Sequence, residues 1–538
     1  MRFHKRLFKE PHDLLWQEYC GFLDLTLDEY MRIQTHLLKE QLSLMAASPL
    51  GRRFFKDGVP DSVSSFRELV PLTDYGDYAD SLLMRSEEIL PARPLIWLET
   101  TWEGGAHSRK AAPYSAGMLD SYRRNMLAVV ILANASQKGH FQVLRGARVL
   151  YNLAPLPYAT GLFPEIMKDE MDFHFMPPLK EALSLPFSQQ MARGFEQALK
   201  GGMDYFFGLS SILYYISGSL LTRRGGGLSK LSGFRPRMLY RLLRARYRSQ
   251  RDGNPLLPKD VFQLKSLVCV GNDSTLYKGD LERFWGVRPM EIMAGTEPSL
   301  IGTETWLRDG MVLFPDACFY EFIPEDEMWR SLDEPGYVPR TYLINELSPG
   351  RLYELVITVL RGGAFMRYRV GDVYRCLRLK NPAAGLDIPQ FEFVDRRPDV
   401  IDIGGFTRIT AHEIDKVIQL SGLQVARWCA LKAYDENNHA YLQLYVELDE
   451  EEHSPTSAQV IQEHLSVYFR FHDSDYASLK RLIKLEPLQV DLVAPGAFGR
   501  FEKSKGRTLR RMNPPTNDVL DFRLLCGFQG KGAVNPWQ

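Results

Sequence analysis

Three stretches of the chain set carboxylates and hydroxyls directly behind apolar, strand-like runs. In "MAGTE" Gly295, Thr296 and Glu297 follow an apolar run, in "AFMRYRVGD" Asp372 follows Gly371, and in "FVDRRPD" Asp399 follows the pair Arg396 and Arg397. The carboxyl edge of an open α/β sheet is where ligands bind. A carboxylate such as Glu297 can there hold Mg²⁺, an ion that shares its oxygen ligands with phosphate. Asp372 can accept two hydroxyl hydrogen bonds from a ribose diol, each charge-assisted bond contributing roughly 1.5–3 kcal/mol. Arg396 can reach the same ribose or a phosphate, and Asp399 can act as the pivot of a domain rotation. Each stretch also has a plainer reading. Gly-Thr-Glu is a common turn, Asp372 can pair with Arg369 or Arg375, and 391–414 can be a well-paired linker.

Positioning these groups requires strands that end where they stand. In "AFMRYRVGD" the alternation puts Met366, Tyr368 and Val370 on one face and Arg367 and Arg369 on the other, with Gly371 ending the strand and freeing Asp372. "LKSLVCV" is a strand running into "GND" at 271–273, and "RPMEIMAGTEPSLIG" repeats that pattern. "ACFYEFIP" and "RLYELVITVL" are expected as antiparallel strands. Upstream, apolar residues recur at helical spacing from Leu14 to about Ser48, "PLIWLETTWEGGAHSRKAAPYS" is a strand entering a glycine loop, and "RVLYNLAPLPYATG" is a strand ending in turns. Strands alternating with helices predict an α/β fold. Past Asp399 the pattern becomes that of a compact α+β module, so the expected domains are 1–398 and 399–538.

The totals narrow the function. With 538 residues and 45% hydrophobic content the chain can bury a large core. Lys plus Arg and Asp plus Glu are each 66, so no global field gathers nucleic acid or anionic membrane, and any such patch must be local. The candidate is "RPRMLYRLLRARYRSQR", whose Arg237, Arg241, Arg244, Arg248 and Arg251 share a helical face, in the plainer reading a solvated one. The basic N-terminus lacks the apolar stretch of a secretory signal. The run "YFFGLSSILYYISGSLL" at 205–221 is too short and too polar to span a bilayer and is expected as a buried helix. The six scattered cysteines form no zinc or redox motif and fit packed, reduced thiols of a cytoplasmic protein.

The order "GTE", "YRVGD", "FVDRRPD" and a glycine turn resembles the adenylate-forming enzymes. More narrowly, "WQEYCGFLDLTLDEYM", "LAPLPYATGLFPE", "MDYFFGLSSIL", "LLPKDVFQLKSL" and "FMRYRVGDVYR" are similar to the auxin-responsive-promoter family of acyl acid amido synthetases, in its bacterial branch. The resemblance runs over essentially the whole chain. It implies a large N-terminal adenylate-forming domain of mixed sheets and helices and a small, mobile α+β C-terminal domain. It further implies a two-step reaction in which ATP and a carboxylic acid give an acyl-AMP, and an amine, typically of an amino acid, displaces AMP. Carried over by position, Thr296 and Glu297 serve phosphate and Mg²⁺, Asp372 the ribose, and Arg396 the ribose or phosphate, while Gly271, Asn272 and Asp273 border adenine.

The chain departs from the family pattern in two places. In the phosphate loop "ETTWEGGAHSRKAAP", Lys110 and Pro113 fit, but Trp102, Glu103 and His107 stand where small or hydroxyl residues are expected. In "GAFGRFEKSKGRTLRRMNPP" the lysine expected near the end is replaced by Asn513 or its neighbours, with Lys503 and Lys505 as substitutes. Two other functions therefore stand beside amide formation: transfer of the acyl group to coenzyme A, and a nucleotide-binding pseudoenzyme without turnover. The aromatic and aliphatic residues of "PLPYATG" and "DYFFGLSSILYY" suit an aryl or hydrophobic acid.

Overall fold

The structure is a computed structural model that describes residues 2–100, 109–185, 187–222, 235–271, 274–404, 407–436, 438–449, 458–472 and 487–527. Asn272 and Asp273, and the loop residues Trp102, Glu103 and His107, lie outside the described residues. Two compact units emerge. One comprises Met1–Thr100, Lys110–Val370 and Tyr374–Glu392; the other contains Gly371–Val373 and the chain from Phe393 on.

The fold is mixed α/β, built in the first unit on a large sheet. Strands Arg148–Asn152, His174–Met176, Tyr205–Leu209, Ser266–Val270 and Met290–Gly295 run parallel. They are joined by helices such as Phe187–Gly201 and Ser274–Trp285, as parallel pairing requires. Strand Met290–Gly295 then turns back into Ser299–Glu304, which pairs antiparallel with it and with Met311–Leu313. Cys318–Pro324 pairs antiparallel with Leu352–Val359, as expected for "ACFYEFIP" and "RLYELVITVL". Both strands are buried along their whole length, which explains their largely apolar runs, in which Glu321 and Glu354 are the charged exceptions.

Three local expectations are corrected. The run 205–221 is not one helix: Tyr205–Leu209 is a strand, and the helix Ser210–Thr222 starts after it. The ring-rich segment Tyr205-Phe206-Phe207 favours the pleated backbone, and Ser210 and Ser211 open the helix. No helix among the described residues is long and apolar enough to cross a membrane. Gly371 does not end its strand, because Tyr368–Arg378 continues through it, with Gly371 at φ +81°. An L-residue rarely adopts that φ, so glycine lets the strand pass a local irregularity. Arg367 lies just before the strand, at φ +42°, and its side chain is buried.

Arg367 is the center of a buried polar knot. Its Nε and Nη2 donate to the two Glu321 carboxylate oxygens at 3.0 and 2.9 Å, and Nη1 donates to the carbonyls of Arg67 and Val70, both at 2.6 Å. Thr341 Oγ1 adds a bond to Glu321 at 2.7 Å. Backbone bonds from Thr73 N to Arg367 O and from Arg369 N to Thr73 O lock the 71–74 segment alongside the strand entry. Along the same strand Arg369 pairs with Glu354 at 2.6 Å and Arg375 reaches Glu392 at 3.4 Å.

The second unit is a three-stranded sheet, with Val425–Tyr434 antiparallel to Ala440–Leu448 and Leu488–Val493 added in parallel. Period-2 alternation splits its core. Ala430, Leu442 and Leu444 face one cluster with Ile414, Ile461 and Leu465; Cys429, Leu431 and Tyr445 face the other with Phe498, Phe501 and Phe522. All six cysteines are free, and five of them are buried.

Breaking a buried ion pair by removing one partner costs about 3–5 kcal/mol, whereas replacing both partners with apolar groups can be neutral. Arg367→Met is expected to lower unfolding stability by about that amount in urea titrations, and the double change Arg367→Met with Glu321→Met to recover most of it. Equal destabilisation by the single and double changes would show that the backbone bonds to Arg67 and Val70, and not the charge pair, hold this corner.

Candidate functional site

The first group of functional side chains belongs to the first unit. Lys110 opens the strand Lys110–Ser115, which pairs antiparallel with Pro94–Thr100. Glu297 sits in the turn between Met290–Gly295 and Ser299–Glu304, and Tyr368 opens Tyr368–Arg378. The turn is pinned by Tyr114, whose hydroxyl donates to the Thr296 carbonyl at 2.8 Å, while the Thr296 side chain is half-buried. Pro298 packs against Gly295, where a Cβ would come within 3.0 Å of the ring.

The three side chains meet. Lys110 Nζ donates to Glu297 Oε1 at 2.8 Å and to the Tyr368 hydroxyl at 2.9 Å, and that hydroxyl donates to the same Oε1 at 2.7 Å. Lys110 Nζ also lies 5.3 Å from the centroid of the Tyr75 ring and 5.6 Å from that of Tyr368, within cation–π range. Glu297 stands in a turn, two residues after Gly295, yet it is buried, with 8% of its surface exposed. Burial pushes its carboxyl up, but the Lys110 charge and the bonds from Lys110 and Tyr368 outweigh burial and hold it at about 2. Neither Lys110 nor Tyr368 uses Oε2. Among the described residues no three or more His, Cys, Asp or Glu side chains gather into a metal cluster. A single buried carboxylate suits Mg²⁺, which keeps waters and takes its other ligands from substrate phosphates.

The second group belongs to the second unit. Asp372 Oδ1 lies 2.6 Å from Arg396 Nη1, and both side chains are largely shielded. The partner of Asp372 is thus an arginine twenty-four positions downstream in the "DRRPD" stretch. The backbone sets this up, since Arg397 N donates to Gly371 O at 2.8 Å. Arg408 Nε donates to Asp402 Oδ2 at 3.1 Å. Burial and the Arg396 charge bring the Arg408 guanidinium below its ordinary range, although Asp402 and Asp372 oppose them. Asp395 Oδ1 accepts from the Arg396 backbone N at 2.7 Å, and its Oδ2 faces Lys432 Nζ at 3.6 Å. Asp399 pairs with Arg397 at 2.7 Å.

The remaining sequence candidates lie elsewhere. Gly271 ends the strand Ser266–Val270 at φ +126°, with Ser210 Oγ 3.4 Å from where its Cβ would be. Lys503 and Lys505 are exposed on the last turn of Ala497–Lys505, where cations complement the helix dipole, and Lys505 pairs with Asp521. Asn513 is 1% exposed at φ +38°. Its Oδ1 accepts from Lys432 N at 3.0 Å, and its Nδ2 donates to the carbonyls of Pro398 and Val400 at 3.3 Å each. Tyr368, Tyr75, Asp395, Lys432 and Arg408 were not singled out from sequence. Tyr368 could have been, because it opens "YRVGD"; nothing local marks Tyr75 or Lys432.

This fold is shared by adenylate-forming ligases. It is similar to a structure described as the AtGH3.15 acyl acid amido synthetase in complex with 2,4-DB, at 15% identity, TM-score 0.51 and 94% coverage of each chain. It is also similar to 2-hydroxyisobutyryl-CoA ligase in complex with 2-HIB-AMP and CoA, at 16% identity and TM-score 0.54, covering 91% of this chain and 90% of that one. Residues 311–396, the stretch that holds Tyr368, Asp372 and Arg396, match the model of the GH3 family central domain. In sequence the chain is 33% identical over 93 residues to the probable indole-3-acetic acid-amido synthetase GH3.11 of Oryza sativa subsp. japonica, and 34% identical over 91 residues to GH3.2 of the same plant. These matches cover 17% of this chain and 15% and 14% of the two relatives.

Two outcomes follow from the geometry. Because the Glu297 carboxyl is held below its unfolded value, its contribution to stability is complete above about pH 4.5 and is lost as pH falls toward about 2. In acid titrations watched by circular dichroism, Glu297→Gln is expected to flatten stability across that window, and an unchanged acid limb would separate Glu297 from Lys110. Asn513→Lys, which puts a lysine in the segment where the family resemblance implies one, is expected to destabilise by about 1–3 kcal/mol through orphaned backbone groups. A thermal melt identical to wild type would contradict the clasp.

Proposed function

We propose that the protein activates a carboxylic acid with ATP and passes the acyl group to an amine, an amino acid by analogy with its amido synthetase relatives. One observation carries this reading: the Asp372–Arg396 pair lies inside the stretch that matches the GH3 central domain. A carboxylate backed by a guanidinium suits recognition of a ribose diol, since both oxygens accept while the charge stays compensated.

In the first half-reaction an acid oxygen bonds to the α-phosphorus as the bond to pyrophosphate breaks. In the second, the amine nitrogen bonds to the acyl carbon as the bond to AMP breaks and the nitrogen gives up a proton. Lys110, held by Glu297 and Tyr368, supplies a fixed positive charge for the phosphates, with no reorganisation at the moment of reaction. Glu297 would hold Mg²⁺, which neutralises charge on phosphate oxygens. Arg396 serves ribose or phosphate, Gly271 with Asn272 and Asp273 borders adenine, and Asp399 is the pivot between the half-reactions. The acid is aryl or hydrophobic, and the free cysteines support a cytoplasmic setting.

The first test is pyrophosphate exchange into ATP across a panel of carboxylic acids, followed by mass spectrometry of products made with amino acids or with coenzyme A. Acid-dependent exchange and an amide are expected. A thioester would reassign the acceptor, and ATP binding without exchange would reduce the protein to a nucleotide binder. Asp372→Asn is expected to weaken ATP binding tenfold or more, about 1.4 kcal/mol upward, in calorimetric titration. The preference of wild type for ATP over 2′-deoxy-ATP is expected to shrink in this variant, and unchanged affinity would remove Asp372 from the ribose. Asp399→Pro is expected to slow transfer more than adenylation, because a fixed φ restricts rotation; equal losses would speak for general damage.

A further inference from the structure

The helix Pro236–Asp252 concentrates charge in a chain whose acids and bases balance. It carries six arginines, at 237, 241, 244, 246, 248 and 251, against one acidic residue, Asp252. Pro236 at its first turn and Gly253 at φ +68° after its end fix its limits. Met238 and Ala245 are buried in a core with Phe206, Leu267 and Trp285. At 3.6 residues per turn, the side opposite that core holds Leu243, Tyr247 and Tyr240, exposed by 50%, 66% and 64%. Arg237, Arg244, Arg248 and Arg251 run along one flank of this stripe and Arg246 along the other.

Most of these charges have no counter-charge. Arg251 pairs with Asp252 and Arg241 bonds to Gln263, but among the described residues Arg237, Arg244, Arg246 and Arg248 make no ion pair or side-chain hydrogen bond. The acidic groups of the elements packed on the helix are used elsewhere. Glu196 holds Arg193 and Lys200, and Asp260 caps Leu257 N. Arg244 and Arg248 stand at i and i+4, a spacing at which like charges destabilise a helix. The whole face is basic, and only an anionic partner relieves it.

We propose that this face docks the protein on an anionic phospholipid surface. The apolar stripe decides between anionic partners. A nucleic-acid backbone makes no use of an outward leucine between two tyrosines, whereas the headgroup region accepts tyrosine rings and a leucine while flanking arginines meet lipid phosphates. This is peripheral docking by one helix face whose other face stays in the protein core.

The test is co-sedimentation of the full chain with phosphatidylcholine vesicles, with and without phosphatidylserine, at low and high salt. Binding is expected only with phosphatidylserine and is expected to be released by salt. Arg237→Glu with Arg244→Glu and Arg248→Glu is expected to weaken partitioning at least tenfold, and Leu243→Ser with Tyr247→Ser severalfold, each with a melting curve close to wild type. The single change Arg244→Glu, expected to cost severalfold, keeps the test valid if the triple variant unfolds. Absence of binding to phosphatidylserine vesicles at low salt, or binding that charge reversal leaves intact, overturns the proposal. So does retention of duplex DNA by the same arginines without vesicle binding.

Discussion

The buried pair of Arg367 and Glu321 sets the entry of the strand Tyr368–Arg378. Burying two charges is costly, and the cost is offset only when every donor and acceptor finds a partner. Here the guanidinium spreads its donors over Glu321 and two carbonyls from the 67–70 segment, so the charge is compensated and the backbone of a separate segment is tied in. Because Arg367 takes a left-handed φ, the strand begins one residue later, at Tyr368. The Tyr368 hydroxyl then joins Lys110 and Glu297, and four residues on Asp372 emerges beyond Gly371. One buried arginine fixes where these residues start to count.

Lys110, Glu297 and Tyr368 illustrate how such a group can be both buried and charged. Desolvation alone would neutralise Glu297, but a lysine and a phenol both donate to one of its oxygens, and the balance falls on the ionised side. The lysine is in turn held in place by that carboxylate and lies within cation–π range of two rings. Incoming phosphates would then meet a cation already desolvated and oriented, which is the condition under which electrostatic stabilisation is strongest.

What the sequence made legible was local order. In "MAGTE" the apolar run marked the strand Met290–Gly295 and the turn after it, and the largely apolar runs "ACFYEFIP" and "RLYELVITVL" were readable as strands because both are buried along their length. Partnerships were not readable. Alternation assigned Arg367 and Arg369 to one polar face, whereas one is a buried tie before the strand and the other pairs with Glu354. The plainer reading of Asp372 paired it with Arg369 or Arg375, whereas Arg396, from the end of the next strand in the chain, lies 2.6 Å from it. Long-range pairing depends on which strands lie side by side, and periodicity holds no information on that. The Tyr205–Leu209 strand was hidden inside an apolar run because period alone does not separate a buried strand from a buried helix.

Asn513 shows why a substitution at an expected functional position need not be a loss of design. A lysine there could donate three hydrogen bonds but accept none. Asn513 accepts from Lys432 N and donates to Pro398 and Val400 carbonyls at once, which only an amide can do, and its φ of +38° is one that asparagine tolerates better than lysine. The side chain thereby fastens the segment that follows Arg396 to the strand Val425–Tyr434, whose Lys432 faces Asp395, the residue before Arg396. Asn513, in the segment where the family resemblance implies a lysine, instead ties the chain after Arg396 to the strand whose Lys432 faces Asp395, next to the arginine that pairs with Asp372.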